Sequence, residues 1–492
     1  MSTQSGEEHR AVRFLLDGQL VCEQAVASTM TVLEYLREVR HRTGTKEGCA
    51  EGDCGACTVV LGELAADGSR IEYRAINSCI RFLPTIDGRE LLTVESLQSP
   101  DGTLHPVQQA MVDHHGSQCG FCTPGFVMSL FALYMDDPQP QRDQVVQALT
   151  GNLCRCTGYR PIIEAGLQMG SYPQPVHWHR GASKDPQRLA ALQALQRRTS
   201  LRRDGFFAPR TIDELAATLM ANPGALVLSG GTDVGLWVTK LLRKLPDIIY
   251  IGAVEDLRQV HRDRTGIRIG AAVTLTEAWG ALVEAWPALA EMARRFASPP
   301  VRNSGTLGGN LANGSPIGDG LPVLISLGAQ VELRRGGQTR WLPLENWYLD
   351  YQKKDLQPGE FLVSVKLPPP DPKVWVAAYK LSKRTDQDIS AVALGAALRI
   401  EAGVVMEARL AFGGMAAVAR RARIVESTLV GKAWNAVAAE AAAGALREDF
   451  KPLDDTRASS AYRLEGAGNL LRRLYLEHSD TGPARLDALG PV

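Results

Sequence analysis

Short segments in which hydrophobic and polar residues alternate, separated by polar turns, make up much of the first 95 residues. Alternation of this kind predicts strands, and Asp17–Gly18 and Asp67–Gly68 supply turns between them. Thr31–Arg40 instead has helical spacing, with Ser28 or Thr29 as the expected cap. These elements predict a small α+β unit. The predicted strands are Val12–Leu16, Gln19–Val26, Cys57–Leu61 and Ile71–Tyr73.

The pattern becomes helical from about residue 104. Apolar residues then recur at three- and four-residue spacing, which indicates amphipathic helices. Four such helices would form a compact all-α domain. The predicted helices are His105–His115, Cys122–Asp136, Arg142–Leu149 and Ile162–Met169.

Residues 171–205 differ sharply in composition and predict an inter-domain connector. Proline and glycine interrupt the segment SYPQPVHWHRGASKD, and the segment RRTSLRRDG is basic. Asp185–Pro186 is expected to cap a helix through QRLAALQALQRR. We expect the basic run to be a solvated linker face, with docking on an acidic partner as the alternative.

Strands and helices alternate from Gly205 onward, and a proline cluster near Pro368–Pro372 marks a further boundary. The second half of the chain therefore predicts mixed α/β or α+β domains. The predicted helices are Thr211–Met220, Leu275–Arg295 and Ala433–Arg447. The predicted strands are Ala225–Leu228, Ile248–Ile251, Ile267–Ala272, Val374–Leu381 and Ala393–Ile400.

Composition excludes several classes of protein. A chain of 492 residues is too long for one core and suggests about three to four domains. Lys+Arg and Asp+Glu are both 54, so we expect no attraction to nucleic acid or to an anionic membrane surface. No apolar run approaches the roughly 20 residues that a membrane span needs. The polar N-terminal residues do not read as a signal peptide, so the expected location is cytoplasmic.

Cysteine distribution is the most informative feature of the composition. Eight of the nine cysteines lie between Cys49 and Cys156, and none follows. In a reducing compartment such clustering indicates metal or redox chemistry rather than disulfides. The ninth, Cys22, lies in a predicted strand and is expected to be a small buried hydrophobic residue.

The first cysteine set is Cys49-x4-Cys54-x2-Cys57, followed by Cys79. This spacing is that of plant-type [2Fe–2S] ferredoxins, in which one irregular loop wraps the cluster and a distant cysteine completes it. Gly48, Gly52 and Gly55 would allow backbone N–H groups to approach the cluster. A structural zinc site is the alternative, but such sites favour paired C-x2-C arms.

The second set, Cys119-x2-Cys122 and Cys154-x-Cys156, is less specific, because four cysteines on two arms would also suit zinc. Thr123–Pro124 would start a helix beside Cys122, and Gly151–Asn152 precedes the second arm. Two helix N-termini near one anionic centre would stabilise its charge, which favours a second cluster.

Two glycine-rich segments, LVLSGGTDVG and SPPVRNSGTLGGNLANGSPIGD, occur in the second half. Neither has the G-x-G-x-x-G pattern, so a Rossmann site is disfavoured. Ordinary turns are one interpretation. A diphosphate site is the other, because glycines free backbone N–H groups and Thr232, Ser304 and Thr306 can donate hydroxyls. Asp233 would then suit a ribose or ribityl hydroxyl.

Three cysteine segments together resemble the two iron–sulfur modules of the xanthine dehydrogenase family of molybdenum hydroxylases. They are TKEGCAEGDCGACTVVL, GSQCGFCTPGFVMS and GNLCRCTGYRPI, and all eight family ligands are present in order. Both glycine-rich segments resemble that family's FAD-binding domain. The resemblance implies a multidomain α+β fold. Its expected parts are a β-grasp ferredoxin domain (10–95), an all-α four-helix [2Fe–2S] domain (96–172), a linker (173–204), a vanillyl-alcohol-oxidase-type FAD-binding α+β domain (205–370) and a small α+β C-terminal flavoprotein domain (373–478).

Family resemblance also implies which residues hold the cofactors. The metal ligands would be the eight cysteines of the two sets. The FAD-binding residues would be Val227, Leu228, Ser229, Gly230, Gly231, Thr232, Asp233, Val234, Phe296, Ser304, Thr306, Leu307, Gly308, Gly309, Asn310, Asp319, Leu362 and Lys380. One position departs from the family pattern: Gln387 stands where an acidic residue often lies beside the flavin, although Asp386 and Asp388 flank it.

The function implied by the resemblance is electron transfer in the iron–sulfur/FAD subunit of such an enzyme. Electrons would enter from a molybdopterin-binding partner subunit, pass through the second and then the first [2Fe–2S] cluster to FAD, and reduce NAD⁺ while xanthine is oxidised to urate. The family implies a heterotetramer with two copies of each subunit. We expect no catalytic acid or base on this chain, because cofactors carry the chemistry. Another molybdenum hydroxylase, for an aldehyde or N-heterocycle, and a non-enzymatic metal-binding scaffold are the alternatives.

Overall fold

The structure is a computed structural model that describes residues 10–179 and 181–480. It divides into two compact units. The first unit contains the described residues up to Asp256, with Thr274–Thr276 and Ala297–Thr306. The second contains Leu257–Val273, Glu277–Phe296 and the described residues from Leu307 onward.

The N-terminal domain of the first unit is a mixed five-stranded sheet packed against one short helix. The strand order is β2-β1-β5-β3-β4, with β1 and β5 parallel and the other neighbours antiparallel. Its strands are β1 (Val12–Leu16), β2 (Gln19–Glu23), β3 (Thr58–Leu64), β4 (Ile71–Asn77) and β5 (Glu90–Leu92).

The single helix of this domain differs from the expected one in its start and its geometry. An α-helical turn, Val32–Glu34, continues as a π-helix over Tyr35–Val39. The cap is Thr31, whose Oγ1 accepts from Glu34 N at 3.1 Å while the Glu34 carboxylate accepts from Thr31 N at 2.8 Å. The predicted cap at Ser28 or Thr29 is therefore wrong, and Ser28 Oγ donates instead to Asp204 O. A reciprocal capping box satisfies two backbone donors, which a lone serine does not.

Cys22 is exposed, so the prediction that it is buried is wrong. Along β2 only Val21 faces the core. Because side chains alternate between the two faces of a strand, its neighbour Cys22 points to solvent.

Four helices form the next domain, as predicted. Their apolar faces meet in a core that contains Phe126, Leu130, Phe131 and Val145. The helices are Pro106–Asp113, Thr123–Asp136, Arg142–Leu149 and Arg160–Gln168.

Residues 181–204 pack against the preceding domain, and the expectation of a solvated basic face is only partly right: Arg198 and Arg202 are exposed, whereas Arg197 is not. The predicted helix is present as Pro186–Leu195 with Asp185 as its cap, and its Leu192 and Leu195 are buried against Leu15 and Ile71. Arg197 has a side chain only 6% exposed and forms an ion pair with Asp87, Nε to Oδ2 2.5 Å. A guanidinium with a carboxylate partner and a long apolar stem can be buried, which a count of charges does not reveal.

The first unit also contains a four-stranded sheet of order β6-β7-β9-β8 and three further helices. The strands are β6 (Leu201–Arg203), β7 (Phe206–Ala208), β8 (Leu226–Leu228) and β9 (Ile248–Tyr250). The helices are Ile212–Ala221, Val234–Thr239 and Pro299–Ser304.

The second unit has two larger sheets. An antiparallel sheet of order β10-β11-β16-β12-β13 comes first, with a small hairpin of β14 and β15. These strands are β10 (Val260–Asp263), β11 (Gly266–Gly270), β12 (Gln330–Arg335), β13 (Gln338–Pro343), β14 (Tyr348–Asp350), β15 (Lys353–Lys354) and β16 (Glu360–Leu367). The short helices of this part are Leu307–Asn313, Gly320–Ser326 and Leu344–Trp347.

The other large sheet of the second unit is C-terminal, antiparallel and in sequence order, β17-β18-β19-β20. Helices cover it, and Leu394, Phe412, Leu446 and Leu471 meet in the core between them. The strands are β17 (Val374–Leu381), β18 (Val392–Glu401), β19 (Val404–Gly413) and β20 (Arg420–Arg421). The helices are Arg423–Leu429, Ala436–Asp449 and Ser460–Ser479.

The predicted long helix Leu275–Arg295 is not continuous. It forms Leu275–Ala285, a 3₁₀ turn at Pro287–Leu289 and the helix Ala290–Arg295. Pro287 has no N–H and disfavours helical backbone at the residue before it, so the first helix stops there.

Sheets and helices in separate segments confirm the predicted multidomain α+β class. Across residues 10–179 and 181–480, no helix combines the length and apolarity that a membrane crossing requires.

Candidate functional site

The first cysteine quartet comes from one loop and one distant turn. Cys49, Cys54 and Cys57 lie before β3, and Cys79 lies in the 3₁₀ turn Ser78–Ile80 that follows β4. Because β3 and β4 pair directly, Thr58 lies opposite Asn77, and the buried Cys57 and Cys79 approach to 3.3 Å between their Sγ atoms.

Backbone donors surround the Cys49 sulfur. The N–H groups of Glu51, Asp53 and Cys54 donate to Cys49 Sγ at 3.4, 3.4 and 3.3 Å. Gly52 and Gly55 have φ values of +80° and +70°, which lets the loop curl around that sulfur. Such a ring of N–H donors suits a thiolate bound to an anionic iron–sulfur centre.

The thiols of this quartet influence each other strongly. Hydrogen bonding from Cys54, then from Cys79, holds the pKa of Cys49 far below its usual range, although burial opposes this. The interaction with Cys49 raises the pKa of Cys54 in turn. Cys57 and Cys79 thus form one close pair of sulfurs, and Cys49 interacts with both Cys54 and Cys79.

The second quartet lies on two loops of the helical domain. Cys119 and Cys156 are exposed, with Sγ atoms 3.6 Å apart. Burial, then a hydrogen bond with Cys154, raises the pKa of Cys122 to about 12. Cys154 is anchored locally, because its N–H donates to the Tyr159 hydroxyl at 3.1 Å. The quartet thus pairs Cys119 with Cys156 and Cys122 with Cys154.

Helix ends around the second quartet are partly as expected. Cys122 directly precedes the helix Thr123–Asp136, as the Thr–Pro pair predicted. Gly151–Asn152, by contrast, follows the C-terminus of the helix Arg142–Leu149, and the next helix begins only at Arg160. The expectation of two helix N-termini at Cys122 and at Gly151–Asn152 is wrong for the second position.

Paired sulfurs fit a two-iron cluster better than one metal ion. Four cysteines bind a [2Fe–2S] cluster, two on each iron.

Within the first unit, the two glycine-rich segments meet. The segment Ser229–Asp233 follows β8 and leads into the helix Val234–Thr239. A Cβ atom on Gly230 would lie 2.1 Å from Ser304 O, so only glycine permits this approach. Thr306 Oγ1 donates to Ser229 Oγ at 2.9 Å. The buried Ser304 Oγ has no hydrogen-bond partner in the described part of the chain, which fits a donor reserved for a ligand.

Asp233 ends the first glycine-rich loop, directly before the helix Val234–Thr239. Burial raises its pKa, and its side chain does not cap the following helix. Asp233 is nevertheless an exposed residue, so its carboxylate is open to a hydroxyl donor, and the hydroxyl contact that the sequence predicted remains a prediction.

In the second unit, Asp319 and Lys380 form a buried pair. Lys380 Nζ donates to Asp319 Oδ2 at 2.6 Å, and Ser390 Oγ donates to Asp319 Oδ1 at 2.5 Å. The side chains of Lys380 and Asp319 are 2% and 7% exposed. Close by in sequence, Asn310 has a buried Oδ1 with no partner in the described residues, and a Cβ atom on Gly320 would lie 3.1 Å from it.

Other predicted FAD residues of the second unit are buried at its core. The Phe296 ring lies 5.4 Å from the Trp279 ring, centre to centre. Leu362 lies on β16, and a Cβ atom on Gly308 would come within 2.5 Å of Ala271 O. These residues pack within the protein core, and their contacts with FAD remain predictions.

Arg295 has a structural role that the sequence did not predict. Its guanidinium donates to Lys380 O at 2.9 Å, to Thr385 O at 3.2 Å and to Ser382 Oγ at 3.1 Å. It therefore holds the segment that follows Lys380. Its sequence position, at the end of a predicted helix, gave no signal of this long-range role.

Gln387, which stands where the family often has an acidic residue, has a left-handed backbone with φ of +51°. Nearby, Asp388 Oδ2 accepts from Arg384 N at 2.9 Å. Although burial acts to raise it, this bond and the Arg384 charge hold the pKa of Asp388 below its usual range. The loop therefore keeps one well-ionised carboxylate beside Gln387.

Models of protein families match four successive segments. A 2Fe-2S iron-sulfur cluster binding domain matches residues 14–82, and a [2Fe-2S] binding domain matches residues 93–167. The FAD binding domain in molybdopterin dehydrogenase matches residues 199–370, and the CO dehydrogenase flavoprotein C-terminal domain matches residues 377–478. Both cysteine quartets thus lie within segments of [2Fe–2S] type, which decides against zinc.

Among curated proteins, xanthine dehydrogenase of Emericella nidulans is 33% identical over 89% of this chain and 36% of its own length. Xanthine dehydrogenase of Drosophila subobscura is 33% identical over 82% of this chain and 34% of its own. The chain thus spans about a third of the length of these relatives.

Among solved structures, carbon monoxide dehydrogenase from Hydrogenophaga pseudoflava matches with a TM-score of 0.52 and 30% identity, over 55% of this chain and 94% of that one. Quinoline 2-oxidoreductase from Pseudomonas putida 86 matches with a TM-score of 0.51 and 25% identity, over 56% of this chain and 96% of that one.

Two [2Fe–2S] domains followed by a flavin domain define an iron–sulfur flavoprotein that transfers electrons. The chain belongs to the molybdenum hydroxylase family and has the iron–sulfur/FAD arrangement of that family.

Proposed function

We propose that the chain is the iron–sulfur/FAD subunit of a xanthine dehydrogenase. The observation that carries this proposal is how far each relative aligns. Xanthine dehydrogenase of Emericella nidulans aligns over 89% of this chain, through both iron–sulfur domains and the flavin domain. The carbon monoxide dehydrogenase and quinoline 2-oxidoreductase chains align over 94% and 96% of their own lengths, but these alignments cover only 55% and 56% of this chain. Fusion of the modules in one chain favours xanthine dehydrogenase.

In this proposal the eight cysteines bind the two clusters as four pairs. Cys49 with Cys54, and Cys57 with Cys79, would each bind one iron of the first cluster. The pairs Cys119–Cys156 and Cys122–Cys154 would do so for the second. When bound, the clusters supply one-electron transfer and FAD supplies two-electron transfer to NAD⁺.

Two groups of the residues predicted from the sequence would bind FAD. In the first unit, the backbone N–H groups of the Ser229–Asp233 segment and the Ser304 hydroxyl would bind diphosphate oxygens. In the second unit, the Asp319–Lys380 pair and Asn310 would orient polar groups of FAD. No residue of the chain is proposed to transfer a substrate proton.

A molybdopterin-binding partner subunit would supply the electrons, in a heterotetramer with two copies of each subunit. The matched chain of carbon monoxide dehydrogenase, from a structure that lacks the Mo-pyranopterin moiety of the molybdenum cofactor, is 94% covered by only 55% of this chain. That coverage supports a flavin module and a molybdenum module on different chains. We place the assembly in the cytoplasm, where a reducing environment keeps ligand thiols available.

NAD⁺ is the proposed acceptor. The loop around Gln387 keeps Asp388 ionised through Arg384, and Asp386 adds a second carboxylate. A local acidic field of this kind would favour the positively charged nicotinamide ring.

A second candidate is another molybdenum hydroxylase that acts on an N-heterocycle or an aldehyde. The match to quinoline 2-oxidoreductase, at 25% identity, favours an N-heterocycle as its substrate. The substrate pocket would lie on the partner in either case, so the residues of this chain do not distinguish the two.

The test is to isolate the native assembly with this chain and assay NADH formation with xanthine, hypoxanthine, quinoline and an aldehyde. We expect xanthine and hypoxanthine to support NAD⁺ reduction, balanced as xanthine, NAD⁺ and water giving urate, NADH and one proton. An assembly without substrate is the control. Activity with quinoline or the aldehyde but none with xanthine would favour the second candidate, and absence of flavin and iron would refute both.

A further inference from the structure

The side chain of Asn152 joins the two cysteine loops. It is 3% exposed and lies in the helical domain, just before Cys154 in sequence. Its Nδ2 donates to Gly55 O at 3.1 Å and to Thr58 Oγ1 at 3.3 Å, both in the first cluster-binding segment. Its Oδ1 accepts from Ser129 Oγ at 2.7 Å within its own domain. Both the Nδ2 and the Oδ1 of Asn152 are therefore hydrogen-bonded, which fixes the orientation of its amide.

Two glycines, Gly55 and Gly125, let the backbones of the two domains approach at the same point. A Cβ atom on Gly55 would lie 2.2 Å from Gly151 O, and one on Gly125 would lie 2.1 Å from Gly55 O. Gly55 also has φ of +70°. Any side chain at these positions would force the segments apart, because real Cβ atoms do not come so close to a carbonyl oxygen.

One backbone hydrogen bond connects ligand residues of the two quartets almost directly. Leu153 N donates to Cys54 O at 2.9 Å. Cys54 belongs to the first quartet, and Leu153 precedes Cys154 of the second. The path from one ligand sulfur to the other therefore runs along covalent bonds and crosses a single hydrogen bond.

We propose that Asn152 is a positioning residue that sets the spacing and orientation of the two [2Fe–2S] clusters relative to each other. It does so by holding Gly55 and Thr58 against its own loop, which keeps the Leu153–Cys54 hydrogen bond in place. Electron exchange between redox centres depends on their separation, so a residue that fixes it acts on function without touching either cluster. This inference rests on the proposed assignment of the eight cysteines as ligands.

The experiment measures the magnetic interaction between the two reduced clusters in the full chain with its cofactors. Asn152→Ala removes all three side-chain bonds, and Asn152→Asp keeps the shape but replaces both donors by an oxygen facing Gly55 O. We expect both variants to keep about four irons per chain, as two [2Fe–2S] clusters require. We also expect their electron paramagnetic resonance spectra to lose part of the splitting that the interaction produces.

Asn303→Ala is the matched control. Asn303 also donates from Nδ2 to a backbone carbonyl of another segment, Ala75 O at 2.9 Å, and that carbonyl belongs to neither cysteine loop. We expect this control to keep the wild-type splitting. Equal splitting in Asn152→Ala and Asn303→Ala, with iron content intact, would overturn the proposal.

If both Asn152 variants lose a cluster, a further variant distinguishes a role in positioning from a role in cluster retention. Ser129→Ala removes only the bond to Asn152 Oδ1 and leaves its donors intact. A reduced splitting in Ser129→Ala would support positioning, and an unchanged splitting would show that Asn152 serves cluster retention instead. Failure of the ligand assignment is distinguishable, since the wild-type chain would then contain no iron–sulfur signal.

Discussion

The ammonium group of Lys240 donates a hydrogen bond to the backbone carbonyl of Cys49 at 2.8 Å. Lys240 follows the helix Val234–Thr239, which begins directly after the glycine-rich segment of the flavin domain. The adjacent Thr239 Oγ1 donates to Ala50 O, also at 2.8 Å. The first cluster loop is therefore held by the helix that leads out of the predicted diphosphate loop, and a positive charge lies beside its first cysteine.

Charge at this contact is expected to tune the reduction potential of the first cluster. Reduction adds a negative charge, so Lys240→Gln should lower the potential and Glu51→Gln, which removes the carboxylate 3.5 Å from Lys240, should raise it. Both side chains are partly exposed and screened, so we expect shifts of roughly 30 mV, about a threefold change in a one-electron equilibrium constant.

Potentiometric titration monitored by electron paramagnetic resonance measures these shifts. Thr239→Val is the control, because it removes a neutral hydrogen bond to the same loop. Shifts of the same sign in Lys240→Gln and Glu51→Gln would contradict the electrostatic explanation.

Substitution of a single cysteine should remove one cluster only. Cys57→Ser takes away a buried ligand whose sulfur lies 3.3 Å from Cys79 Sγ, so we expect iron to fall from about four to about two per chain. Iron analysis and the loss of one of two paramagnetic signals check this. Cys22→Ser is the matched control, since Cys22 is exposed and outside both quartets. Full iron content in Cys57→Ser would refute the ligand assignment.

Breaking the Asp319–Lys380 pair should reduce both stability and flavin content. Lys380→Met leaves Asp319 buried without its cation, which we expect to cost about 3–5 kcal/mol. The double variant Asp319→Asn with Lys380→Met should recover part of that loss, because no buried charge then remains. Urea midpoints and the ratio of FAD to protein measure the two effects.

The exposed pair Arg472–Glu440 serves as the comparison. Glu440→Gln breaks this ion pair at the surface and should lower the free energy of unfolding far less than Lys380→Met, with FAD content unchanged. A loss of stability in Glu440→Gln as large as that in Lys380→Met would show that burial is not the cause.

His105 is expected to make the helical domain sensitive to acid. It caps the helix Pro106–Asp113, where its Nδ1 accepts from Val107 N at 3.2 Å, and burial lowers its pKa from 6.5 to about 4. Between those two values the unfolded chain binds a proton that the folded chain does not. Stability should therefore fall as the pH decreases from 6.5 to 4, by about 3 kcal/mol in total.

Unfolding followed at several pH values checks this expectation. His105→Asn keeps a capping acceptor but does not titrate, so its stability should fall less steeply than that of the wild type over the same range. Parallel pH dependence in the two proteins would exclude His105 as the acid-sensitive group.

Much of the fold was predictable from local pattern. The helix Arg142–Leu149 and the strands Val12–Leu16 and Val374–Leu381 have the bounds that periodicity predicts. Periodicity succeeds there because each segment has one face on the core. The prediction was wrong at Cys22, because the exposure of a side chain on the edge strand depends on which face of the sheet is covered. It was also wrong at Pro287, because a continuous helix cannot include a proline, which has no N–H, without a break.

What the sequence by itself determined is the chemistry of the chain: two cysteine quartets, their order, and the glycine-rich segments of a flavin domain. These follow from residue types at short spacing, which local geometry constrains. Only the tertiary structure decided how the sulfurs pair, that Arg197 is buried with Asp87, and that Asn152 joins the two cysteine loops. Those contacts join residues far apart in sequence, and their partners are set by packing of whole domains, which no local pattern encodes.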